Sequence, residues 1–574
     1  MRTFFRIAGI MWADVFAYYV LWMMMVYLTD VWKLDFTHAA AIINIWRGSA
    51  LVLPLLFVHL ADAFLGNLCT LLLTSLSYTL GLGLLWMSTP PVLSKINENC
   101  TEYKPECIGD QQKQLFYAAL ALIAVGMAGH LTSLPSFMAE QTQLIENEFM
   151  ATATRAEEQG GGSGCCLVCR SMLGGFMGIL IPIIGLIIVT YVKPWGVQFG
   201  VSALFALGSL VVFLSGIFSY NYVSPQGSEL TIVFRVFVAA FRKMFCRCPQ
   251  DVNQLYESND VGGAENHAFL LHTKSLRCLD KAAIILPQPT LEEQQQQRWK
   301  LCRVTEVEAT KISIRMIPLW ITIILCGLVS AIGDTYFLQQ ATSLNRKLGR
   351  IKLPLIFLLW FYDQSKSLFT KIFVMAASIT TLFGRQTSTR RYVSSIGIAI
   401  SIMFSVLCCI AAAKVETRRL ETARNHGLID KPDNEKVGMS MFWLLPQFAL
   451  LGGLDGIREF SVGYLVNDQA PNSMIKYFNY VSMGSFGVGI MGSAVSVYVV
   501  GRISKKISGI NWFQSTLNKS RLDNYYWVLA ALSAVNLVGF VLLAWFYRYR
   551  EPTDEELEEP EFEETETNLF NHIE

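Results

Sequence analysis

The chain has 574 residues, 53% of them hydrophobic and only 16% charged, and a mean hydropathy of +0.39. Soluble proteins carry about a quarter of their residues as charged side chains, so this composition excludes an ordinary soluble protein and indicates a membrane protein. The net charge of +1 identifies no partner, and we expect no nucleic acid to bind.

The first apolar stretch extends from Met11 to Asp30. It is long enough to cross the ~30 Å hydrocarbon core of a bilayer as one helix. Asp14 interrupts it, and because an ionisable side chain inside a spanning helix is costly, Asp14 is a candidate functional residue. The alternative is that Asp14 lies near the membrane surface and remains hydrated.

Apolar runs of about 18 to 24 residues recur along the chain and predict twelve membrane-spanning helices. They lie near residues 7–29, 39–61, 68–88, 114–134, 169–191, 197–219, 313–335, 353–375, 392–413, 440–463, 477–500 and 525–547. One long connection divides them six and six, a layout typical of two bundles around a midplane site. The predicted fold class is an all-α membrane protein with two six-helix bundles and a long cytosolic central segment.

This division predicts four regions: a first bundle (1–219), the central segment (220–311), a second bundle (312–549) and an acidic tail (550–574). The tail after Arg550 holds eleven acids and no Lys or Arg, which is typical of a disordered segment. Within the central segment, Ser275–Ile285 and Leu291–Thr310 have the pattern of amphipathic helices. A cytosolic partner for the central segment is left open.

Asn99 and Asn518 occupy the two Asn-x-Ser/Thr motifs and are candidate glycosylation sites. Both fall in loops on the side opposite the central segment. We therefore expect both termini and the central segment to face the cytosol, and both asparagines to face the lumen or exterior. The sequence predicts a multi-pass integral membrane protein and leaves open whether it lies in the plasma membrane or in a vacuolar or vesicular membrane.

Thirteen cysteines are scattered along the chain, mostly within or beside apolar runs. The groups Cys165–Cys169 and Cys246–Cys248 contain plausible metal ligands, but no second half-site accompanies either group. We therefore expect no metal and no other cofactor. Cys100 and Cys107 share one loop and are candidates for a disulfide if that loop faces an oxidising space.

Several blocks of the sequence resemble the plant nitrate and peptide transporters, the plant branch of the proton-dependent oligopeptide transporters within the major facilitator superfamily. The blocks are FAYYV and YLTDV in the first span, Pro54–Gly66, Cys278–Ile284, Cys302–Trp320, Phe442–Gly456, Asp468–Met474 and Leu517–Asn536. They cover nearly the whole chain in the order of the family. The resemblance implies the twelve-helix major facilitator fold and alternating access to a central cavity.

The chain departs from that family at its coupling motif. In coupled members, an E-x-x-E-R motif precedes the FAYY run, and here its charged positions hold Met11, Asp14 and Val15. The basic position in helix four holds Leu131, and the Glu position in helix ten holds Tyr464. The resemblance therefore implies a carrier without strict proton coupling.

Three other residues are candidates for proton coupling in this chain: Asp14, His130 and Glu459. Coupling needs a membrane-buried carboxylate with a basic partner. Counting residues along the first helical hairpin places Arg47 and Asp14 ~8 Å apart along the helix axes, so Arg47 is one candidate partner of Asp14. The alternative for His130 is a buried, hydrogen-bonded histidine that transfers no proton.

The favoured function is transport of a small polar, anionic or zwitterionic solute, such as nitrate, a peptide or an amino-acid-like compound, by alternating access. The candidates for the solute cavity are Tyr18, Tyr19, Asn44, Arg47 and Gln339, with Arg47 as the partner of an anion or carboxylate. The alternative is a non-transporting sensor or scaffold built on a transporter fold. An enzyme is disfavoured, because no metal cluster or Ser/His pair occurs at motif spacing. The expected partners are the lipid membrane and a small solute.

Overall fold

The computed structural model describes residues 2–89, 109–156, 194–225, 227–246, 275–286, 299–383, 387–429 and 435–547, with shorter stretches between 180 and 192 and between 255 and 297. The loop containing Asn99, Cys100 and Cys107, most of the fifth predicted span and the acidic tail lie outside the described residues. The expectations for those parts therefore stay predictions.

The first half of the chain is mostly helical in its described part. Its helices are α1 (Arg2–Trp22), α2 (Met24–Asp30), α3 (Phe36–Val52), α4 (Pro54–Leu60), α5 (Gly66–Met87), α6 (Asp110–Ala156) and α7 (Trp195–Leu214). A π-helical turn, Ala61–Leu65, joins α4 to α5. Gly66 follows it with φ at +73°, a left-handed conformation that glycine adopts without the clash of a Cβ atom.

Two helices of the central segment come next, α8 (Leu230–Arg242) and the short α9 (Arg277–Asp280). The second half contains α10 (Val304–Ser330), α11 (Leu338–Ser343), α12 (Ile356–Phe383), α13 (Thr387–Asn425), α14 (Leu445–Gln469), α15 (Ile475–Ser508) and α16 (Leu522–Phe546). A π-helical turn, Gly333–Phe337, lies between α10 and α11.

Four short strands lie in the loops of the second half: β1 (Leu344–Asn345), β2 (Lys347–Leu348), β3 (Ile351–Lys352) and β4 (Val437–Ser440). β1 pairs in parallel with β4, and β2 pairs antiparallel with β3. The first pair ties the end of α11 to the start of α14. The chain is otherwise helical where it is described as regular structure, in agreement with the all-α prediction.

Eight helical stretches among the described residues are long and apolar enough to cross a membrane. One of them, Phe36–Met87, has 52 residues and would be ~78 Å long if straight. That is more than twice the ~30 Å hydrocarbon core, so this stretch contains two passes that meet near Gly66. Together with α12 and α14, which carry ionisable side chains in their middle, these stretches match every predicted span except the fifth. The count of twelve stays a prediction.

The two ends of the helical array differ in what packs there. At the end that we call inner, the central segment packs against the first turns of α10. At the opposite, outer end, β1 pairs with β4. Arg419 of α13 also donates a hydrogen bond of 2.6 Å to Oδ1 of Asn518 at the outer end. The orientation expected from the sequence makes the inner end cytosolic.

The two bundles meet most closely where α3 packs against α15. A Cβ atom added at Gly48 would lie 2.5 Å from the carbonyl oxygen of Gly487, so both positions need the absence of a side chain. Small residues let helices approach closely in membranes, where packing rather than hydrophobic exclusion drives association. Asn44 of α3 also donates a hydrogen bond of 2.8 Å to Ser493 Oγ of α15. This seam holds the outer halves of the two bundles together.

The central segment folds onto the inner end of α10. Its apolar core combines residues of α8, of the turn after α9 and of the first turn of α10: Val236, Ala239, Ala240, Leu255, Leu279, Ala282, Ala283, Cys302, Val304 and Val307. The fully buried Lys311 forms ion pairs with Asp280 (2.6 Å) and Glu308 (2.7 Å) beneath this core. A compact unit of this kind shows that part of the segment is structured.

The prediction of an amphipathic helix over Leu291–Thr310 is wrong in its extent. Residues 301–303 are not helical, and α10 begins at Val304. The side chain of Glu306 accepts from the backbone N–H of Arg303 (3.0 Å), which caps this start. The predicted Ser275–Ile285 helix is reduced to α9 and one following 3₁₀ turn. Among the described residues of the segment, the longest amphipathic helix is α8, which was not predicted from the sequence.

Candidate functional site

An ion pair joins the two bundles in the outer half of the array. Arg47 of α3 pairs through Nη1 with Oδ2 of Asp334, which lies in the π-helical turn after α10. Asp334 is buried, and the Arg47 side chain keeps 29% of its surface exposed. Turns of this kind occur often at functional sites, because they project a side chain out of the regular helical register. The turn thus presents an acid to the first bundle.

A second buried acid, Asp455 of α14, lies in the interior of the second bundle. Its Oδ2 accepts hydrogen bonds from Ser330 Oγ and Tyr362 Oη, both at 2.7 Å. Its Oδ1 has no hydrogen-bond partner among the described residues and faces Arg458 Nε at 3.9 Å. The Arg458 guanidinium lies over the ring of Phe486, 3.8 Å from its centroid, a favourable cation–π arrangement.

Lys366 of α12 forms a 2.7 Å ion pair with Glu459 of α14. Asp363 interacts electrostatically with both, so this region holds three cations and four acids: Arg47, Lys366, Arg458, Asp334, Asp363, Asp455 and Glu459. Paired charges can exchange partners with a bound ion at low net cost, because neither member is left alone during the exchange. The arrangement can receive the carboxylate or anionic end of a solute at a cation and an ammonium end at an acid.

Four side chains of this region lie deep within the protein and still keep accessible surface: Tyr18, Arg47, Lys366 and Glu459. Depth combined with accessibility is the property of groups on the wall of an internal cavity. Tyr18 is 43% exposed, its ring lies 4.8 Å from that of Trp22, and it interacts electrostatically with Arg47 and Asp334. Four helices, α1, α3, α12 and α14, therefore contribute accessible side chains to the protein interior.

The other predicted cavity residues are Tyr19, Asn44 and Gln339. Tyr19 is buried and makes an edge contact with the ring of Tyr18. The side-chain carbonyl oxygens of Asn44 and Gln339 are buried and accept no hydrogen bond from the described residues. A buried acceptor without a donor is costly, so each of these oxygens calls for a water molecule or a solute N–H group.

The proton-coupling candidates Asp14 and His130 are in direct contact. His130 Nδ1 lies 2.9 Å from both carboxylate oxygens of Asp14, and its Nε2 lies 2.8 Å from Ser75 Oγ. The ring of Tyr78 packs 5.2 Å from the imidazole. These groups come from α1, α5 and α6, so the pair lies inside the first bundle. They adjoin a small cavity that Ser209 of α7 also lines.

The sequence expectation that Arg47 is the basic partner of Asp14 is wrong. Arg47 pairs with Asp334 across the bundles, whereas Asp14 pairs with His130 within its own bundle. The first pairing was inferred only from the positions of the two residues along their helix axes. Those positions leave undetermined the direction in which each side chain points around its helix. The third coupling candidate, Glu459, has Lys366 as its partner.

A polar cluster closes the inner end between the bundles. Asp62, in the turn after α4, accepts from Lys476 Nζ (3.0 Å) and Tyr477 Oη (2.6 Å) at the start of α15. Tyr477 Oη also lies 2.9 Å from Ser228 Oγ, and this hydroxyl lies 2.8 Å from His59 Nδ1. Ser228 precedes α8, so the start of the central segment contacts both bundles at this point.

Sequence reasoning missed three members of the charged network: Lys366, Tyr362 and Ser330. Lys366 and Tyr362 are four residues apart on α12 and therefore share a helix face, a signal that was available in the sequence. Ser330 carried no such signal, since a serine in a spanning helix most often bonds its own backbone. Its donation to Asp455 depends on how α10 packs against α14.

The two glycosylation candidates have different surroundings. Asn518 is buried, with 4% of its surface exposed. Its Oδ1 accepts from Arg419, and its Nδ2 donates to the Leu428 carbonyl oxygen at 3.3 Å. A glycan on Nδ2 would have to displace these contacts, so the burial argues against modification of Asn518. Asn99 lies outside the described residues.

Comparison with known proteins identifies the kind of chain that carries this site. The POT family profile (PTR2) matches residues 68–516. The Arabidopsis thaliana proteins NRT1/PTR FAMILY 5.5 and 5.7 are 38% and 30% identical over 538 and 560 residues, covering 94% and 96% of this chain and 95% and 88% of their own. The crystal structure of an auto-inhibited POT family peptide transporter shares the fold, with a TM-score of 0.61 at 16% identity, over 96% of this chain and 99% of its own. The protein is therefore a multi-pass membrane transporter of the POT family.

Proposed function

We propose that the protein carries a small anionic or zwitterionic solute across its membrane by alternating access, and that the cavity around Arg47 and Asp334 is the solute site. The observation that carries the proposal is the Arg47–Asp334 ion pair, a contact between the bundles whose arginine side chain keeps 29% of its surface exposed. A solute that competes for either partner weakens the outer contact at the moment it binds. Binding and opening are then linked through the same two side chains.

The inner cluster supplies the opposing contact that alternating access requires. Lys476 and Tyr477 hold Asp62 at the inner end, while Arg47 and Asp334 hold the outer half. Both contacts join the nearly continuous helix α3–α4 of the first bundle, with the turn that follows it, to the second bundle. Rocking of one bundle against the other can lengthen one of these contacts while the other stays closed, as alternating access by rigid-body motion requires.

The charges of the cavity support the solute class. Arg47, Lys366 and Arg458 suit a carboxylate or nitrate, whereas Asp334 and Glu459 suit an ammonium group. The unsatisfied carbonyl oxygens of Asn44 and Gln339 add acceptors for N–H groups. The solved structure that shares the fold is named a peptide transporter, which supports peptides as one of the classes to test.

Two features of the chain bear on the driving force. The substitutions Val15, Leu131 and Tyr464 at the family's coupling positions favour flux that needs no proton gradient. The contact between Asp14 and His130 supports the opposite, since it gives the carboxylate the titratable partner that Leu131 does not provide. Leu131 itself accepts from Tyr480 Oη of the second bundle at 3.1 Å, so a change at His130 lies one residue from a contact between the bundles.

Vesicle experiments test the proposal. Purified protein is reconstituted, and uptake of labelled nitrate, a dipeptide and a zwitterionic amino acid is compared with binding of the same compounds by thermal shift, since a ligand stabilises the state that binds it. We expect one class both to bind and to move. An Asp62→Asn variant, which keeps the cavity but weakens the inner cluster, should still bind the solute.

A sensor that binds without transporting is the second candidate, and the structured central segment favours it. This segment packs on α10 through Lys311, Asp280 and Glu308, so movement of α10 would reach a surface available to a partner. Saturable binding combined with no flux of any tested class, in vesicles where a control carrier works, supports the sensor instead of the carrier.

A further inference from the structure

Helix α8 presents an aromatic face that no described part of the protein covers. Phe234, Phe237 and Phe241 lie on it at spacings of three and four residues, and Phe245 continues the line in the turn that follows. Their exposed fractions are 59%, 44%, 74% and 92%, and Met244 beside them is 47% exposed. An exposed run of four phenylalanines on one helix indicates an interaction surface.

The opposite face of α8 is already occupied. Val236, Ala239 and Ala240 are buried in the core of the central segment. Lys243 Nζ donates to the carbonyl oxygens of Ala282 (3.1 Å) and Ile284 (2.7 Å), which fixes the end of the helix to that core. The helix is therefore held in place by one side, and its aromatic side is left for another partner.

The position of α8 along the bundle axis identifies that partner. Its Val233 packs against the main transmembrane core, and its Arg235 lies 3.4 Å from Glu306 in the first turn of α10. The helix thus crosses the inner end of the array at the level where the spanning helix α10 begins. At the same end, Phe218 after α7 and Trp545 near the end of α16 are fully or mostly exposed. Aromatic side chains gather at this level where a bilayer meets water.

The charge of α8 has the complementary sign for a membrane surface. From Leu230 to Cys248 the sequence contains four basic residues and no acid. Arg235 and Arg242 fall along one edge of the helix, between the buried and the aromatic faces, because they lie about 80–100° from Phe234 around the axis. Basic residues flanking an apolar face of Phe are the pattern of helices that lie in the interface plane and bind anionic lipid.

We propose that α8 lies in the plane of the inner membrane surface, with Phe234, Phe237, Phe241 and Phe245 inserted among lipid chains and Arg242 at the level of anionic headgroups. The bilayer is the occupant that fits, since the face continues the lipid-exposed ends of the spanning helices. This binding surface does not depend on the solute or on transport.

Site-specific photocross-linking in the full-length protein tests this proposal. Benzoylphenylalanine replaces Phe237, Phe241 or Phe245 one at a time, the protein is placed in nanodiscs of phosphatidylcholine with phosphatidylserine, and adducts are identified by mass spectrometry. The same photoprobe at Val535, a 68% exposed residue of α16, is the lipid-facing control, and at Ile351 of β3 it is the control outside the membrane.

We expect lipid adducts at all three phenylalanine positions and at Val535, and none at Ile351. The Arg242→Glu change should remove the phosphatidylserine adduct at position 241 and leave the adduct at Val535 unchanged. Cross-links from position 241 to residues 247–272 would show that this segment covers the face, and cross-linked dimers would show a second copy there. Either result, or water-quenched probes without adducts, overturns the proposal.

Discussion

Arg47 in the first bundle and Asp334 in the second form an ion pair across the interface between the bundles. Among the ion pairs of the described residues, neither Arg47 nor Asp334 has a second charged partner. The pair lies beside Tyr18, which keeps accessible surface in the protein interior. We propose that this one contact both closes the outer half and lines the solute site, two roles that mutation can separate.

Single removal of either partner should impair both stability and transport. Arg47→Gln leaves the carboxylate of Asp334 buried without its cation. We expect the free energy of unfolding to fall by about 3 kcal/mol, the lower end of the range for a buried pair, because Arg47 is partly exposed. In the double variant Arg47→Gln/Asp334→Asn, thermal stability should recover while solute binding stays absent. Lys113→Gln, in an exposed pair with Asp110, is the matched control with no expected effect. Recovery of binding in the double variant would restrict the pair to a structural role.

Asp14 and His130 should account for whatever proton dependence the carrier has. The substitutions at the family's coupling positions predict that flux depends weakly on an imposed proton gradient, and Asp14→Asn or His130→Gln should abolish the remaining dependence. His59→Gln is the control, because His59 bonds Ser228 in the inner cluster and lies outside this pair. Uptake is measured with and without the gradient. A strong gradient dependence that survives both variants would assign coupling to other groups.

The stability of the central segment should rise with pH between about 8 and 10.5. Burial lowers the pKa of Lys243 to about 8 from 10.5. Above pH 8 the folded segment releases this proton while the unfolded chain keeps it, so the unfolded state binds more protons and stability rises with pH, then levels off. Burial raises the pKa of the nearby Cys302 to about 12, which acts in the opposite sense above pH 9.

The difference between wild type and Lys243→Met isolates the lysine. Hydrogen exchange of residues 275–286 should show protection that rises from pH 8 to 10 in wild type relative to Lys243→Met, after correction for the intrinsic rate. Cys302 is common to both proteins, so its contribution cancels. Equal pH profiles in the two proteins would mean that Lys243 is charged throughout, held by the carbonyl oxygens of Ala282 and Ile284.

Asn518 should carry no glycan. Its amide is buried between Arg419 and the Leu428 carbonyl oxygen, and Arg419 in turn pairs with the buried Glu416 at 2.8 Å. Asn518→Gln should therefore lower the thermal stability without changing the glycosidase-sensitive mobility of the protein. Asn99→Gln should remove any such mobility shift. A shift that disappears only in Asn518→Gln would require the outer end to be arranged differently.

The sequence predicted the fold well because spanning helices need long apolar runs, and those runs can be counted. It singled out Arg47, Asp14 and His130 as candidates, because a charge in such a run is costly and therefore visible. It did not predict which residues pair. The pairing of Arg47 with Asp334 and of Asp14 with His130 depends on the rotation of each helix about its axis. It also failed for α8, whose exposed phenylalanines make it resemble an ordinary buried helix by composition.

Solute flux through the wild type and the Arg47→Gln/Asp334→Asn variant in sealed vesicles tests whether the Arg47–Asp334 pair takes part in transport. Both proteins are reconstituted at equal density after thermal unfolding has shown equal stability, and uptake of the solute class that stabilises the wild type is followed. We expect saturable uptake by the wild type and at least a tenfold lower rate of uptake by the double variant, which corresponds to about 1.4 kcal/mol of activation free energy. Equal uptake by the two proteins, or binding by the wild type without any uptake, would contradict it.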